Sequence, residues 1–293
     1  MEFDLTHARH DPAMCLAPGL FRSLKKGDRK RLKLDVKYDY GDGERLEFSA
    51  SEPLGAEDLR VLQGLIAMAG PDGLMLRPEP ETEAGTQLRL LLETKFDAVE
   101  ANALVVKDSY RRLAREIGYD PDNSSSFRTI RDCVERLWKV SVIVQSGKRR
   151  QGFRLLSHYD SDEADGRLFV ALNPRITQAV LGTRPHTRIE LSEVRALAGD
   201  AARLIHQRLS AWIDPGKSGR AEIDTLAGYA WPSPAQGSAM RERRSTVRKA
   251  LVEIQATGWK VTEYAKGKYE IRRPGRAITD GRHRAPDGRT PPS

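Results

Sequence analysis

Six residues recur in kind at a constant offset of 113: Leu113, Ala114, Phe127, Arg128, Arg131 and Val134 return as Leu226, Ala227, Met240, Arg241, Arg244 and Val247. Each copy reads as a short helix, a turn, and a second, basic amphipathic helix running into a pair of strands. A chain built this way must bury two apolar helix stripes against two hairpins, which points to an α+β protein made of two similar units. A short helix followed by a basic one is also how a protein offers one helix to a DNA major groove.

Composition narrows the partner. Lys and Arg number 49 against 41 Asp and Glu, a net charge of +8, so the chain favours an anionic partner without naming one. Cys15 and Cys133 are the two cysteines, and a pair so placed predicts no disulfide framework and a reducing cytosol. No apolar run reaches the length of a membrane span, so no membrane partner is expected. The opening stretch lacks the apolar core of a signal peptide.

Residues 1–33 read as an irregular N-terminal arm that turns basic at Arg22, Lys25, Lys26, Arg29, Lys30, Arg31 and Lys33. The run suits a solvated arm or one that touches phosphates. Leu34–Tyr40 and Arg45–Phe48 predict a hairpin about Gly41-Asp42-Gly43. Ala56–Ala69 predicts a helix with Leu59, Leu62, Leu65, Ile66 and Ala69 on one stripe, stopped by Gly70-Pro71. A loop over Pro71–Thr86 and a strand over Gln87–Glu93 follow. In the first repeat Ser109 caps a helix through Ile117, and Ser124, Ser125 or Ser126 caps a helix over Phe127–Lys139. Strands are expected at Ser141–Gln145, Gln151–Ser157 and Leu168–Leu172. Pro174–Leu181 reads as a helix between the halves. Ile189–Leu191 suits a short strand, and Ser192 opens a short helix. Asp200 caps a helix over Ala201–Ile213 with Trp212 facing inward. In the second repeat Ile223–Tyr229 and Ala239–Ala256 are helices, the latter capped by Ser238, and Trp259–Tyr264 pairs with Lys268–Arg272. From Pro274 onward the pattern is aperiodic and predicts disorder.

The exposed face of the second repeat's long helix carries the sharpest chemistry. At 100° per residue Met240, Val247, Leu251 and Ile254 gather on one side, and Arg241, Ser245, Arg248, Lys249 and Val252 on the other. An arginine forks onto guanine O6 and N7, while serine or lysine serves a base edge or a phosphate. Arg243 and Arg244 flank the stripe, within reach of phosphates by snorkelling. The first repeat's helix exposes Arg128, Asp132, Glu135, Arg136 and Lys139, with Arg131 beside them. Its two acids stand where the second copy has Ser245 and Arg248, so the C-terminal unit is expected to do most of the base reading. Lys148, Arg149 and Arg150 at one hairpin tip, and Lys266 and Lys268 at the other, suit backbone or minor-groove contacts, or serve simply as solubilising turns.

Chemistry of other kinds finds no foothold. Gly216-Lys217-Ser218 resembles the end of a phosphate-binding loop, but a helix precedes it and the first glycine of the pattern is replaced by Ala211. The histidines have no partners at metal-ligand spacing, and no nucleophile elbow or catalytic carboxylate pair stands out. An enzyme is not expected, nor a cofactor or metal.

Several long segments carry a resemblance: His10–Phe21 (HDPAMCLAPGLF), Pro53–Gly70 (PLGAEDLRVLQGLIAMAG), Ile130–Val140 (IRDCVERLWKV), Gln151–Ser157 (QGFRLLS) and Trp212–Gly219 (WIDPGKSG). Over residues 7–273 the chain resembles the RepC replication initiators of IncQ-type broad-host-range plasmids. That resemblance implies two tandem winged helix domains of the plasmid replication initiator type. It also implies binding to directly repeated origin sequences (iterons) in double-stranded DNA, help in opening the adjacent duplex, and recruitment of a plasmid helicase and primase. Self-association through the N-terminal domain is a further implication. The corresponding organisation is an arm over 1–33, an N-terminal winged helix domain over 34–173, a C-terminal one over 174–273 and a disordered tail over 274–293. A transcriptional repressor on the same fold, or a non-enzymatic winged-helix adaptor, are the competing readings.

Overall fold

The computed structural model describes residues 3, 5–41, 43–72, 74–76, 103–162 and 166–275. The strand expected over Gln87–Glu93, most of the loop expected over Pro71–Thr86 and the tail beyond residue 275 lie outside them. In chain order the elements begin with β1 (His7–His10), α1 (Pro12–Leu16), α2 (Asp28–Arg31), β2 (Leu34–Tyr40), β3 (Glu44–Ala50) and α3 (Ala56–Asp72). β4 (Leu74–Leu76), β5 (Ala103–Ser109), α4 (Tyr110–Glu116), α5 (Ser124–Lys139), β6 (Ser141–Ser146), β7 (Arg149–Arg154), β8 (Leu156–Asp162) and β9 (Arg167–Leu172) follow. The remainder comprises α6 (Pro174–Leu181), β10 (Thr187–Glu190), α7 (Leu191–Ala196), α8 (Asp200–Trp212), β11 (Ser218–Glu222), α9 (Ile223–Ala230), α10 (Gly237–Ala256), β12 (Lys260–Ala265) and β13 (Lys268–Arg272).

Both repeats take the expected order of short helix, long helix and hairpin: α4, α5, β6 and β7 in the first, and α9, α10, β12 and β13 in the second. Their sheets differ. In the second, β11 leads into α9 and joins the hairpin in the order β11-β13-β12. In the first, β5 leads into α4 but pairs with β4 and β9, while the hairpin extends the sheet β2-β3-β6-β7. Among the described residues all of the strand pairs are antiparallel.

Helix α3 is the hub. It was expected to bury one stripe, yet Val61, Ala67 and Met68 are as buried as Leu59, Leu62, Leu65 and Ile66. A helix buried on nearly every side belongs in an interior, and α3 is packed by β1, α4, α5, α6 and α8. Gly64 is the close-approach point, where a Cβ would lie 2.3 Å from Ile117 Cγ2. The three buried polar side chains of α3 find partners. Arg60 donates to the Ile117 carbonyl at 2.6 Å, and Gln63 donates to Gln207 of α8 at 2.9 Å. Asp58, fully buried, accepts from Arg29 at 3.1 Å, Arg136 at 2.8 Å and the Gly55 amide at 2.7 Å.

The N-terminal segment departs most from expectation. Residues 7–21 are structured rather than irregular: β1 pairs with β10, and α1 packs on α8. Asp11 caps α1 by accepting from the Met14 amide at 3.1 Å, with Pro12 in the first turn. Elements of four and five residues are too short to show a period, although an acid followed by proline is a helix-start signal. Further along, Arg175 (5% exposed) joins Asp11 at 2.7 Å to Glu44 at 2.9 Å, and Arg184 donates to Glu44 as well.

Smaller corrections concern caps and ends. Asn123 caps α5 by accepting from the Ser125 amide, in place of any of the three serines. The N-cap of α10 is Gln236, without a side-chain cap, so Ser238 lies inside the helix. Asp200 sits in the first turn of α8 behind Gly199. Glu253 accepts from the Ala198 and Gly199 amides at 2.9 Å each, so a carboxylate from α10 faces the positive end of α8. Trp212 is 44% exposed rather than inward, because its ring lies over Gly219 at the end of α8. Strands β8 and β11 and the short β4 were not foreseen.

His10 is fully buried, and burial lowers its pKa from 6.5 to about 4 against a small opposing effect of the Asp11 backbone. The folded protein holds this ring neutral while the unfolded chain protonates near pH 6.5. Stability from this residue is therefore present above pH 6.5 and is lost as pH falls toward 4, by about 3 kcal/mol in total. Urea unfolding of His10→Gln and of the parent at pH 7 and pH 4.5 checks this. The parent should lose more stability between the two, and equal losses would refute the assignment.

Candidate nucleic-acid interface

The α10 face emerges as the wheel indicates: Arg241, Ser245, Arg248, Lys249 and Val252 are exposed, while Val247, Ala250, Leu251 and Ile254 are buried. Among the described residues Arg241, Arg248 and Lys249 form no ion pair. Arg248 lies close to the buried Tyr269 hydroxyl of β13, and its charge opposes the upward shift that burial gives that phenol. Of the two acids on α10, Glu253 is drawn away to the start of α8, while Glu242 stays exposed beside Arg241. The uncapped first turn of α10 leaves backbone amides directed outward, a favourable setting for phosphate.

Arg243 and Arg244 have different employment. Arg244 forks onto Asp224 of α9 at 2.7 and 2.6 Å, and this pairing holds the Asp224 carboxyl below its usual range. Arg243 donates to the Ser233 carbonyl at 2.6 Å and lies 5.8 Å from the Trp231 ring centre. Both brace the turn between α9 and α10 and so fix the angle at which α10 is presented. Asp224 is the residue that sequence reasoning overlooked. Its only signal was a lone acid in the first turn of the short helix.

On α5 the outcome is mixed. Arg128 is exposed, Arg131 is half-buried and has an interaction partner, and Lys139 pairs with Glu135 at 3.6 Å. Arg136 is not on the exposed face. Its guanidinium turns inward to Asp58, because α3 crosses beneath α5. Arg29 is corrected likewise: it leaves the arm's surface for Asp58 and the Pro53 carbonyl.

The hairpin tips are tighter than expected. β6 and β7 turn over Gly147 (φ 56°) and Lys148 alone, so Arg149 and Arg150 belong to β7, where Arg150 pairs with Glu47 at 3.1 Å. β12 and β13 turn over Lys266 and Gly267, and Lys268 pairs with Glu222 at 3.3 Å. The cations free of an ion pair at the tips are thus Lys148 and Lys266, among the described residues.

The basic part of the N-terminal segment runs between the two helix units. Gly19 lies against Pro232, and the Ser23 amide donates to the Ala230 carbonyl at 2.8 Å, both in the second unit. Arg22 donates through its amide to Leu54, and Arg29 reaches Asp58, which also holds α5. Lys25, Lys26, Lys30 and Arg31 are exposed along this path, with Arg31 paired to Asp28 at 2.7 Å.

No group of three or more potential ligands for a metal ion occurs among the described residues. Burial pushes both cysteine thiols up, which keeps them protonated. No helix among the described residues is long and apolar enough to cross a membrane.

Comparison with known families decides what the chain is. The model of Replication protein C (RepC) matches residues 2–275. The chain belongs to the RepC family. Membership agrees with the resemblance carried by the quoted segments, and this RepC-family chain is a DNA-binding replication initiator. No curated protein matches it. Among solved structures, domains 2 and 3 of RctB in selenomethionine form share the fold at TM-score 0.55 and 11% identity, over 89% of this chain and 97% of that one. A second RctB structure of the same domains gives TM-score 0.52 and 11% identity, over 89% and 95%. The Pi initiator protein in complex with iteron DNA matches more loosely, at TM-score 0.43 and 13% identity over 57% and 79%.

Proposed function

We propose that this chain initiates plasmid replication by binding directly repeated origin sequences through two tandem winged helix domains, residues 34–173 and 174–273. The carrying observation is the α10 face: Arg241, Arg248 and Lys249 without ion pairs, braced from behind by Arg244 and Asp224, with Glu253 turned away. An adaptor would be expected to engage those arginines in salt bridges, and neither is so engaged among the described residues. In this reading α10 enters the major groove and supplies most of the base contacts. Arg128 and Arg131 on α5 add contacts from the first unit. Lys148 and Lys266 touch the backbone, and Lys25, Lys26, Lys30 and Arg31 follow phosphates between the two units.

Bending a repeat of 20–30 base pairs costs on the order of 1–6 kcal/mol, and cations spread over two units and the segment between them offset it. Strain from neighbouring repeats then concentrates on the opening region. Helicase and primase act after the duplex opens, and self-association through the first unit sets the spacing of bound copies. The proposed setting is plasmid DNA in the bacterial cytoplasm.

The test is equilibrium binding of the full chain to duplex origin repeats and to scrambled duplex of equal length, at two salt concentrations. Preference for the repeats by roughly 10³-fold or more is expected. Each of Arg241→Ala and Arg248→Ala should remove about 1–3 kcal/mol of it. Equal, steeply salt-dependent binding to both duplexes would reduce the charge pattern to nonspecific attraction.

A further inference from the structure

Val252 is 67% exposed, the most exposed large hydrophobic side chain among the described residues. It stands on α10 in the same row as Arg241, Ser245, Arg248 and Lys249, one turn beyond Arg248. Nothing in the fold requires it. A β-branched residue on the open face of a helix is a slightly poorer helix former than alanine, and this one is not packed into the core that Val247, Leu251 and Ile254 share. The four other members of the row carry hydrogen-bonding groups, and Val252 carries two methyls instead.

In a major groove one feature is apolar: the C5-methyl of thymine. We propose that Val252 is a specificity-determining residue that selects thymine by packing against that methyl. The proposal rests on the reading of α10 as the helix that enters the groove, and it adds a base preference to it. Four residues of helix advance about 6 Å along the axis. That is close to two base steps at roughly 3.4 Å each, so the thymine lies about two steps from the base met by Arg248. Cationic and hydroxyl groups at the start of the row address guanine and phosphate, and the row ends on a group that rejects a polar edge. The contact is desolvation of two methyl surfaces, with no proton or charge moved, so its strength should be nearly independent of salt.

The experiment uses the full chain and a duplex origin repeat in which each thymine is replaced in turn by uracil, which lacks only the methyl. Binding is read by fluorescence polarisation for the parent, Val252→Ser and Val252→Ile. Burial of one methyl predicts that uracil at one position weakens the parent roughly three- to tenfold. Val252→Ser should bind the unmodified repeat weaker by a similar factor and should be indifferent to uracil at that position. Val252→Ile should keep the thymine preference. Thermal unfolding of Val252→Ser should match the parent, since the side chain touches no core. If the parent prefers the repeat over scrambled duplex but no uracil position weakens it, the inference is overturned while the reading of α10 stands. The same holds if the uracil penalty persists unchanged in Val252→Ser. Absence of any preference for the repeat would instead sink the reading on which the inference rests.

Discussion

Replacing Asp58 with alanine should destabilise the protein by about 3–5 kcal/mol, because it leaves two guanidinium groups facing an interior without their counter-charge. Asp58 is fully buried, and its two oxygens divide the work: one accepts from Arg136 of α5, and the other from Arg29 and the Gly55 amide. Arg136 is only 13% exposed and Arg29 29%, so neither can regain full hydration once the carboxylate is gone. Urea unfolding at pH 7 reads the loss directly. Arg29→Ala should cost less, since its guanidinium is the more exposed of the two. Combining it with Asp58→Ala should cost less than the sum of the single changes, as expected for groups sharing one network. A loss below about 1 kcal/mol for Asp58→Ala, the range of exposed pairs, would mean that water reaches the cluster and that the account is wrong. A second readout is available: the segment over 22–31 should become susceptible to protease in Asp58→Ala while the second unit's α10 stays protected.

Arg175→Met is the second large effect, again about 3–5 kcal/mol at neutral pH, and it carries a pH signature that the first lacks. Removal of the guanidinium strands Asp11, which is 1% exposed, while Glu44 keeps Arg184. Burial already pushes the Asp11 carboxyl upward against the pull of Arg175. Without that pull the folded-state pKa rises further above its unfolded value. A raised carboxyl pKa favours the folded state where the group is protonated, and the benefit is lost as pH rises through it. The deficit of Arg175→Met relative to the parent should therefore shrink from pH 7 to pH 5. The His10 contribution is common to both proteins and drops out of the difference. A deficit that does not change with pH would show that lost packing of the arginine stem, rather than a stranded charge, carries the cost.

The helix units were legible because their information is local and repeated. Phe127 through Trp138 and Met240 through Ile254 show a helical period over several turns, and the offset of 113 supplies each with a second copy. Exposure of Arg241, Ser245, Arg248 and Lys249 follows from that period alone. Charge partners were not legible in the same way. Arg136 lies on the polar side of its own wheel, and only α3, more than sixty residues earlier, turns it inward. Arg29, Arg244 and Glu253 found partners 29, 20 and about 55 residues away. The short β1 and α1 offer too few residues for a period. The difference between the two sheets depends on which strand β5 pairs with, a choice made by tertiary packing rather than by its own alternation.

The pairing of β1 with β10 has a consequence for the order in which this chain is made. His7–His10 leaves the ribosome well before its partner Thr187–Glu190, which follows only after some 180 more residues. At synthesis rates of about 5–20 residues per second, that is a wait of roughly 10 to 40 seconds. Through it a strand edge and the apolar groups of Leu5, Ala8 and Met14 stand uncovered, a condition that invites pairing with other chains. The first unit can complete its helices and hairpin in that interval, but the hub helix α3 keeps one side open until β1 is closed over it. The nascent protein is accordingly most vulnerable to association with its neighbours on a polysome, and a chaperone that shields the first twenty residues would act where the exposure lasts longest.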